Sequence, residues 1–428
     1  MSSSLEQQRD WAVGLPVLIM DEILDRFVDL SDYIRFASVC VPWRAAALDF
    51  RNRNHHNKVR CTSTTQIPLL MLGAPGSDVF YNDGDGGVAE FYSVTRRKIL
   101  NNFHLPSPYK THLRIIGSAF GWLVNVDKNV VVTLFNPFLS SSDSIIRLPP
   151  VPCFNSEQFN DFRHIVKATL SKDPALFPDE YVVLMIYGNV GDLAFLKPGG
   201  GNGRWRKKGF EVGGYCDVIY SNSRGLFLGV TKTTGEVFSI DVTGEKVVIG
   251  RFTPSLKIRR AGEEDKDDLR YIVETPTGDV LQVYRFLSSD KAGAFRTLDI
   301  KVFKFDKTAR CWCELKSLGD LALFVGVGSS VCVSASDFRG CQPGSVYYSL
   351  PYRKYSRTAH RNYLKAKRDG QAVDEGSRRY DVGVIDINGQ RREPLSFKKY
   401  PSCRYDMLDA SLTLFTYPIW VVPTFQHQ

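Results

Sequence analysis

Gly225-Leu226-Phe227-Leu228-Gly229-Val230, Gly235-Glu236-Val237-Phe238-Ser239-Ile240-Asp241 and Val247-Val248-Ile249 are three short runs rich in β-branched and aromatic residues. Thr234-Gly235 marks the junction at which the second of them begins. A glycine there supplies the positive φ that a tight hairpin needs, so the stretch reads as strand, turn, strand, loop, strand. The same order recurs in three other places. Gly121-Trp122-Leu123-Val124 leads to residues 130–135 and 145–148; residues 271–274 lead through 280–284 to 301–305 and 312–315; residues 345–348 are followed by 381–387. Turn chemistry also marks Asn82-Asp83-Gly84-Asp85-Gly86-Gly87, Thr277-Gly278-Asp279 and Asn388-Gly389. Units of about 40–50 residues built in this way are typical of propeller blades, whose small sheets bury their faces only against neighbouring sheets. The chain beyond residue 60 has room for roughly six to eight of them. A pair of β-sandwiches is the competing architecture.

Upstream the pattern changes from strand to helix. Ile19, Ile23 and Phe27 recur every four residues opposite Asp21, Glu22, Asp25 and Arg26, which predicts an amphipathic helix. Ser31 and Asp32 offer side-chain acceptors at the start of a second helix carrying Tyr33, Phe36, Ala37 and Cys40. Pro42 opens a third with Trp43, Ala46, Ala47 and Phe50. Helices this short are marginal alone and gain stability by covering an apolar face. Charge changes at the same place: the chain carries a net +9, yet residues 1–50 hold eight acids and only four bases. Two surfaces with different partners are expected, with a boundary near residue 55.

Composition narrows the classes further. With 43% hydrophobic and 24% charged residues the chain is of globular type, and no run approaches the ~20 apolar residues of a membrane helix. The first residues, Met1-Ser2-Ser3-Ser4-Leu5-Glu6, have neither the apolar core of a signal peptide nor the character of a transit peptide, so the nucleus and/or the cytoplasm is the expected location. Nine scattered cysteines without a C-x-x-C spacing are expected to be reduced and mostly buried, Cys311 and Cys313 packing into the core from one face of a strand.

Trp11, Leu15-Pro16, Ile19 to Leu24, Leu30-Ser31-Asp32, Phe36 and Val39-Cys40-Val41-Pro42-Trp43-Arg44 together resemble an F-box. The later segments Gly117 to Leu123, Leu134-Phe135-Asn136-Pro137, Ile146 to Pro150, Lys316 to Asp320, Val333 to Cys341 and Pro418 to Pro423 look like those of plant F-box proteins whose C-terminal part is a KIB-type β-propeller. Phe120 departs from that pattern, where a small polar residue or His is expected. The resemblance implies an α+β multidomain chain: a three-helix F-box over residues 11–55, a linker over 56–66, and a mainly antiparallel all-β propeller over 67–428. By the same resemblance Leu15, Pro16, Ile19, Val39, Cys40 and Trp43 would bind a Skp-type adaptor and through it a cullin. The propeller would hold an unidentified protein substrate, making the chain a non-catalytic subunit of a ubiquitin ligase.

Other chemistry finds less support in the residues. Gly199-Gly200-Gly201-Asn202-Gly203 lacks the Lys-Ser/Thr of a phosphate loop and reads as a flexible turn; Asp83 and Asp85 lack the other ligands of a calcium loop. The seven histidines show no H-E-x-x-H spacing, so no metal, cofactor or catalytic group is assigned. A basic tract, Arg353, Lys354, Arg357, Arg361, Lys365, Lys367 and Arg368, has tyrosines interleaved. It reads first as a solvated loop, then as an import signal or a contact for an acidic protein, with nucleic acid last. A propeller enzyme or small-ligand binder, and an F-box scaffold acting outside a ligase, remain as alternatives.

Overall fold

Short strands that are apolar on both faces need a sheet on either side, and here six sheets supply it to one another. A computed structural model describes, apart from short breaks, residues 15–54, 67–72, 88–104, 114–151, 165–349, 381–394 and 419–423. Blade one joins β1 (Leu69–Leu72), β2 (Val88–Ser93) and β3 (Lys98–His104) to the last strand, β25 (Ile419–Val421). Blade two is β4 (Arg114–Ala119), β5 (Trp122–Val126), β6 (Val132–Phe135) and β7 (Ile145–Arg147). Blade three is β8 (Ile165–Leu170), β9 (Val183–Tyr187), β10 (Asp192–Leu196) and β11 (Arg206–Lys208). Blade four runs from β12 (Tyr215–Ser221) through β13 (Leu226–Thr231) and β14 (Val237–Asp241) to β15 (Val248–Arg251). Blade five runs from β16 (Leu269–Glu274) through β17 (Val280–Ser289) and β18 (Phe295–Asp306) to β19 (Cys311–Leu315).

Blade six departs from the simple meander. Its five strands lie in the order β21 (Val331–Ser334), β20 (Leu321–Val325), β22 (Ser345–Ser349), β23 (Val382–Asp386) and β24 (Arg392–Pro394). β20 and β22 run parallel, whereas the other pairs in the six sheets are antiparallel. The connection through Ala335–Asp337, a single 3-10 turn, lets the chain return in the same direction. Six blades thus fall within the expected range, and the architecture is a propeller.

The ring is closed by pairing the two ends of the domain: Leu69, Leu70 and Met71 face Val421, Trp420 and Ile419. Around the axis, β4 lies beside β8, β8 beside β12, and β12 beside β16; β16 is next to β21 and β25 next to β4. Polar side chains stitch this inner ring. Ser118 Oγ on β4 donates to the Trp420 carbonyl at 2.6 Å. The Asp217 carboxylate accepts from Lys167 Nζ and from the Val218 amide on one oxygen, and from the Ile272 amide and Ser330 Oγ on the other. One buried carboxylate therefore holds blades three, four, five and six, with its hydrogen bonds satisfied as burial demands.

Turn chemistry follows the sequence closely where the turn is described. Gly235 and Gly278 both take positive φ, at 65° and 79°. Phe120 and Gly121 form the two-residue loop between β4 and β5, with φ of 53° and 78°. A left-handed residue is easiest for Gly, Asn, Asp or His, which is the physical reason a small polar residue or His suits position 120 better than Phe. Asn82 to Gly87, Asn388-Gly389 and the centre of the glycine run at 200–202 lie outside the described residues. So do the linker 56–66 and the basic tract from Arg353 to Arg368.

The expectation for Cys311 and Cys313 is corrected. Both are exposed: β19 is the outermost strand of blade five, hydrogen-bonded on one side only, and its cysteine face is open to water. Trp312, between them, turns the other way and packs on Phe305. Cys332 and Cys341 are buried, and Cys216 is half-buried; burial pushes the Cys216 and Cys332 thiols up to about 12 and that of Cys341 to about 11. In the unfolded chain a thiol ionises near 9.0, so the folded state holds protons that the unfolded state releases. The stability due to these neutral thiols is complete below pH 9 and is lost as the pH climbs towards 12. Urea midpoints measured across that window should fall steadily, and alkylation of the folded chain at neutral pH should mark Cys311 and Cys313 while sparing Cys332 and Cys341.

Candidate docking surface

Helices α1 (Val17–Asp25), α2 (Leu30–Ala37) and α3 (Val41–Asn54) build a small core of their own. Met20 and Leu24 of α1 meet Phe36 of α2 and Ala47 and Phe50 of α3, all buried. Phe36 lies between Phe27, at 5.6 Å edge-on, and Trp43, at 4.4 Å. α2 begins at Leu30, so Asp32 stands within the first turn, where its negative charge opposes the helix dipole favourably. The second oxygen of the same carboxylate meets Arg96 Nη2 at 2.5 Å, tying the helices to the turn between β2 and β3. Cys40 follows the end of α2 and does not belong to that helix.

The helices leave part of their apolar surface in water. Val17, Leu18 and Ile19 are 57%, 79% and 43% exposed at the start of α1, and Val39 and Val41 are 58% and 77% exposed at the start of α3. Pro16 and Pro42 are exposed beside them. Five large aliphatic side chains open to water within one short module exceed the scattered single residues common on a soluble surface, and such groupings mark places where another molecule binds.

The six residues expected at this surface divide into two sets. Pro16, Ile19 and Val39 are exposed, whereas Leu15, Cys40 and Trp43 are half-buried. Leu15 and Trp43 lean on the module's internal core. Trp43 Nε1 is buried and has no acceptor among the described residues. Sequence reading passed over Val17, Leu18, Val41 and Pro42. Their signal is present in Val17-Leu18-Ile19-Met20, an unbroken apolar run that covers every side of a helix turn, of which the helical core uses only Met20. Of the stripe Ile19, Ile23 and Phe27, the last two pack partly buried against the core that Met20 and Leu24 lead, while Ile19 faces out.

In the propeller, the inner strands carry two carboxylates among the described residues, Asp217 and Glu274. Asp217 is held as described, and Glu274 Oε1 accepts from Ser221, Ser223 and Arg224. Among the described residues no group of three or more His, Cys, Asp or Glu side chains could hold a metal ion, and no helix is long and apolar enough to cross a membrane. Strand β11, Arg206-Lys207-Lys208, is exposed throughout; charges on an outermost strand discourage another chain from pairing with its free edge.

The profile of the KIB1-4 β-propeller family matches residues 91–386, from the second strand of blade one to the fourth of blade six. F-box protein At2g17690 of Arabidopsis thaliana is 41% identical, over 79% of this chain and 91% of its own length. F-box protein SKIP23 of the same plant is 25% identical over 79% of this chain and 84% of that one, and F-box protein At2g26160 is 23% identical over 81% and 98%. With most of its propeller inside the family profile and full-length plant F-box proteins as relatives, the chain belongs to the KIB1-4 β-propeller family as a plant F-box protein.

Proposed function

We propose that the chain is the substrate-recognition subunit of a Skp, cullin and F-box ubiquitin ligase, acting in the nucleus or the cytoplasm. The observation that carries this reading is the uncovered aliphatic surface of Val17, Leu18, Ile19, Val39 and Val41 on a module whose core is already complete. A Skp-type adaptor would cover it, with Pro16 and Pro42 at its edge. The Asp32–Arg96 pair ties the module to one end of the ring, next to the turn between β2 and β3. That leaves the loops of the opposite end, among them those joining β9 to β10 and β13 to β14, for a target protein. This subunit would then contribute by tethering: a target held near a ubiquitin-loaded enzyme reacts at a raised effective concentration, with no bond made or broken by this chain.

Co-purification tests the assigned surface. The full chain should retain a Skp-type adaptor, and Leu18→Asp with Ile19→Asp should lose it by about a hundredfold or more in affinity, since each buried aliphatic contributes roughly 1.5–3 kcal/mol. Both side chains point away from the helical core, so circular dichroism and melting should stay as in the wild type. Equal retention by the two proteins would refute the interface. Leu15 is a poorer site for this test because its half-buried side chain also supports the internal core.

A further inference from the structure

Blade five ends in an edge strand with two thiols on one face. In the β18–β19 ladder Cys311 stands opposite Asp306, Trp312 opposite Phe305 and Cys313 opposite Lys304. Both cysteines are exposed, and their Sγ atoms are 3.9 Å apart. Thiolates bound at about 2.3 Å to one tetrahedral ion stand about 3.8 Å from each other. The spacing of the free thiols is therefore already that of a chelate. From this geometry we propose that Cys311 and Cys313 form a bidentate dithiolate site for a soft divalent cation with a filled d shell, of the zinc and cadmium kind.

The strand between the thiols is anchored, which keeps that spacing in place. The Trp312 ring lies 5.4 Å from that of Phe305, and its Nε1 donates to the Pro254 carbonyl at 3.1 Å. Direct oxidation suits the pair less well. A disulfide needs its sulfurs about 2.05 Å apart, and residues two apart on a strand have Cα atoms about 6.6 Å apart, near the upper limit a disulfide spans. Closing it would displace a strand that Trp312 pins, whereas an ion between the sulfurs displaces nothing. On binding, each thiol gives up one proton and two metal–sulfur bonds form; no electrons are transferred. Because no third His, Cys, Asp or Glu completes a set among the described residues, water or a ligand from another molecule would fill the remaining positions.

The test uses the full, reduced and metal-free chain titrated with cadmium ion, followed by the ultraviolet thiolate-to-metal charge-transfer band and by proton release. Wild type should bind one more ion than Cys311→Ser/Cys313→Ser, with two more protons released. Each single variant should bind that ion about a hundredfold more weakly, because chelation is lost. The difference between proteins isolates this pair from the chain's other cysteines, and exposed Cys→Ser changes should leave the melting curve unmoved. Equal stoichiometry and affinity in wild type and the double variant would overturn the proposal. So would single variants that bind like wild type, or a wild-type pair that mass spectrometry finds closed as a disulfide in place of the metal site.

Discussion

Trp420→Ala should lower the free energy of unfolding by about 3–5 kcal/mol, the cost of emptying a fully buried aromatic site. Trp420 sits on β25, the innermost strand of blade one, which comes from the far end of the chain. Its ring lies 5.1 Å from that of Phe324 and 6.1 Å from that of Tyr347, both in edge-on contact, and those two rings stack on each other at 4.6 Å. The strand that closes the ring by pairing with β1 is thereby also packed against blade six. Aromatic shape carries the effect: the indole Nε1 is buried with no partner among the described residues. Trp420→Phe should accordingly cost only about 1–2 kcal/mol, the share due to lost volume. Denaturant unfolding of the full-length variants decides it. A Trp420→Ala protein as stable as the wild type would mean that the packing of this ring between blades one and six does not hold the propeller together.

The second large effect is expected at Asp217. Its carboxylate serves Lys167, the Val218 and Ile272 amides and Ser330, from four consecutive blades. Asp217→Ala strands a buried ammonium and three other donors, and breaking a buried pair from one side costs about 3–5 kcal/mol. Lys167→Met should cost less, because the amide and hydroxyl donors continue to satisfy the carboxylate. The double variant should recover about 1–2 kcal/mol relative to Asp217→Ala alone, since it removes the stranded charge. Urea titration of the four proteins measures the coupling; additive losses would show that the two side chains act independently.

Both predictions rest on contacts between residues far apart in the chain, and the sequence was legible to a correspondingly limited depth. Blades two, four and five declared themselves through alternating strands and turns such as Thr234-Gly235 and Thr277-Gly278, where backbone conformation is a local matter. Blade three did not. β9, Val183-Leu184-Met185-Ile186-Tyr187, is buried on both faces and has no alternation, while β11 is entirely basic. Neither has the half-buried pattern by which a strand is recognised.

The helical module shows the same division. Apolar residues at helical spacing specified three helices, and the order from Leu15-Pro16 to Trp43-Arg44 carried the family likeness. Periodicity alone did not select the inward side of α1, because Val17 to Met20 are apolar all round and packing against Phe36, Ala47 and Phe50 selected Met20; the family likeness did place Ile19 outwards. The exposure of Cys311 and Cys313 was hidden for a related reason: a strand states which residues share a face, but whether the adjoining blade covers that face depends on its length and placement.

Local chemistry thus determined the turns, the helix and strand types and the existence of repeated small sheets, since each depends on neighbours a few residues away. Tertiary structure decided the number of blades, the pairing of Leu69–Leu72 with Ile419–Val421, the parallel step in blade six, and which apolar residues remained in water. Those depend on contacts across hundreds of residues, where burial is settled by what arrives from elsewhere in the chain.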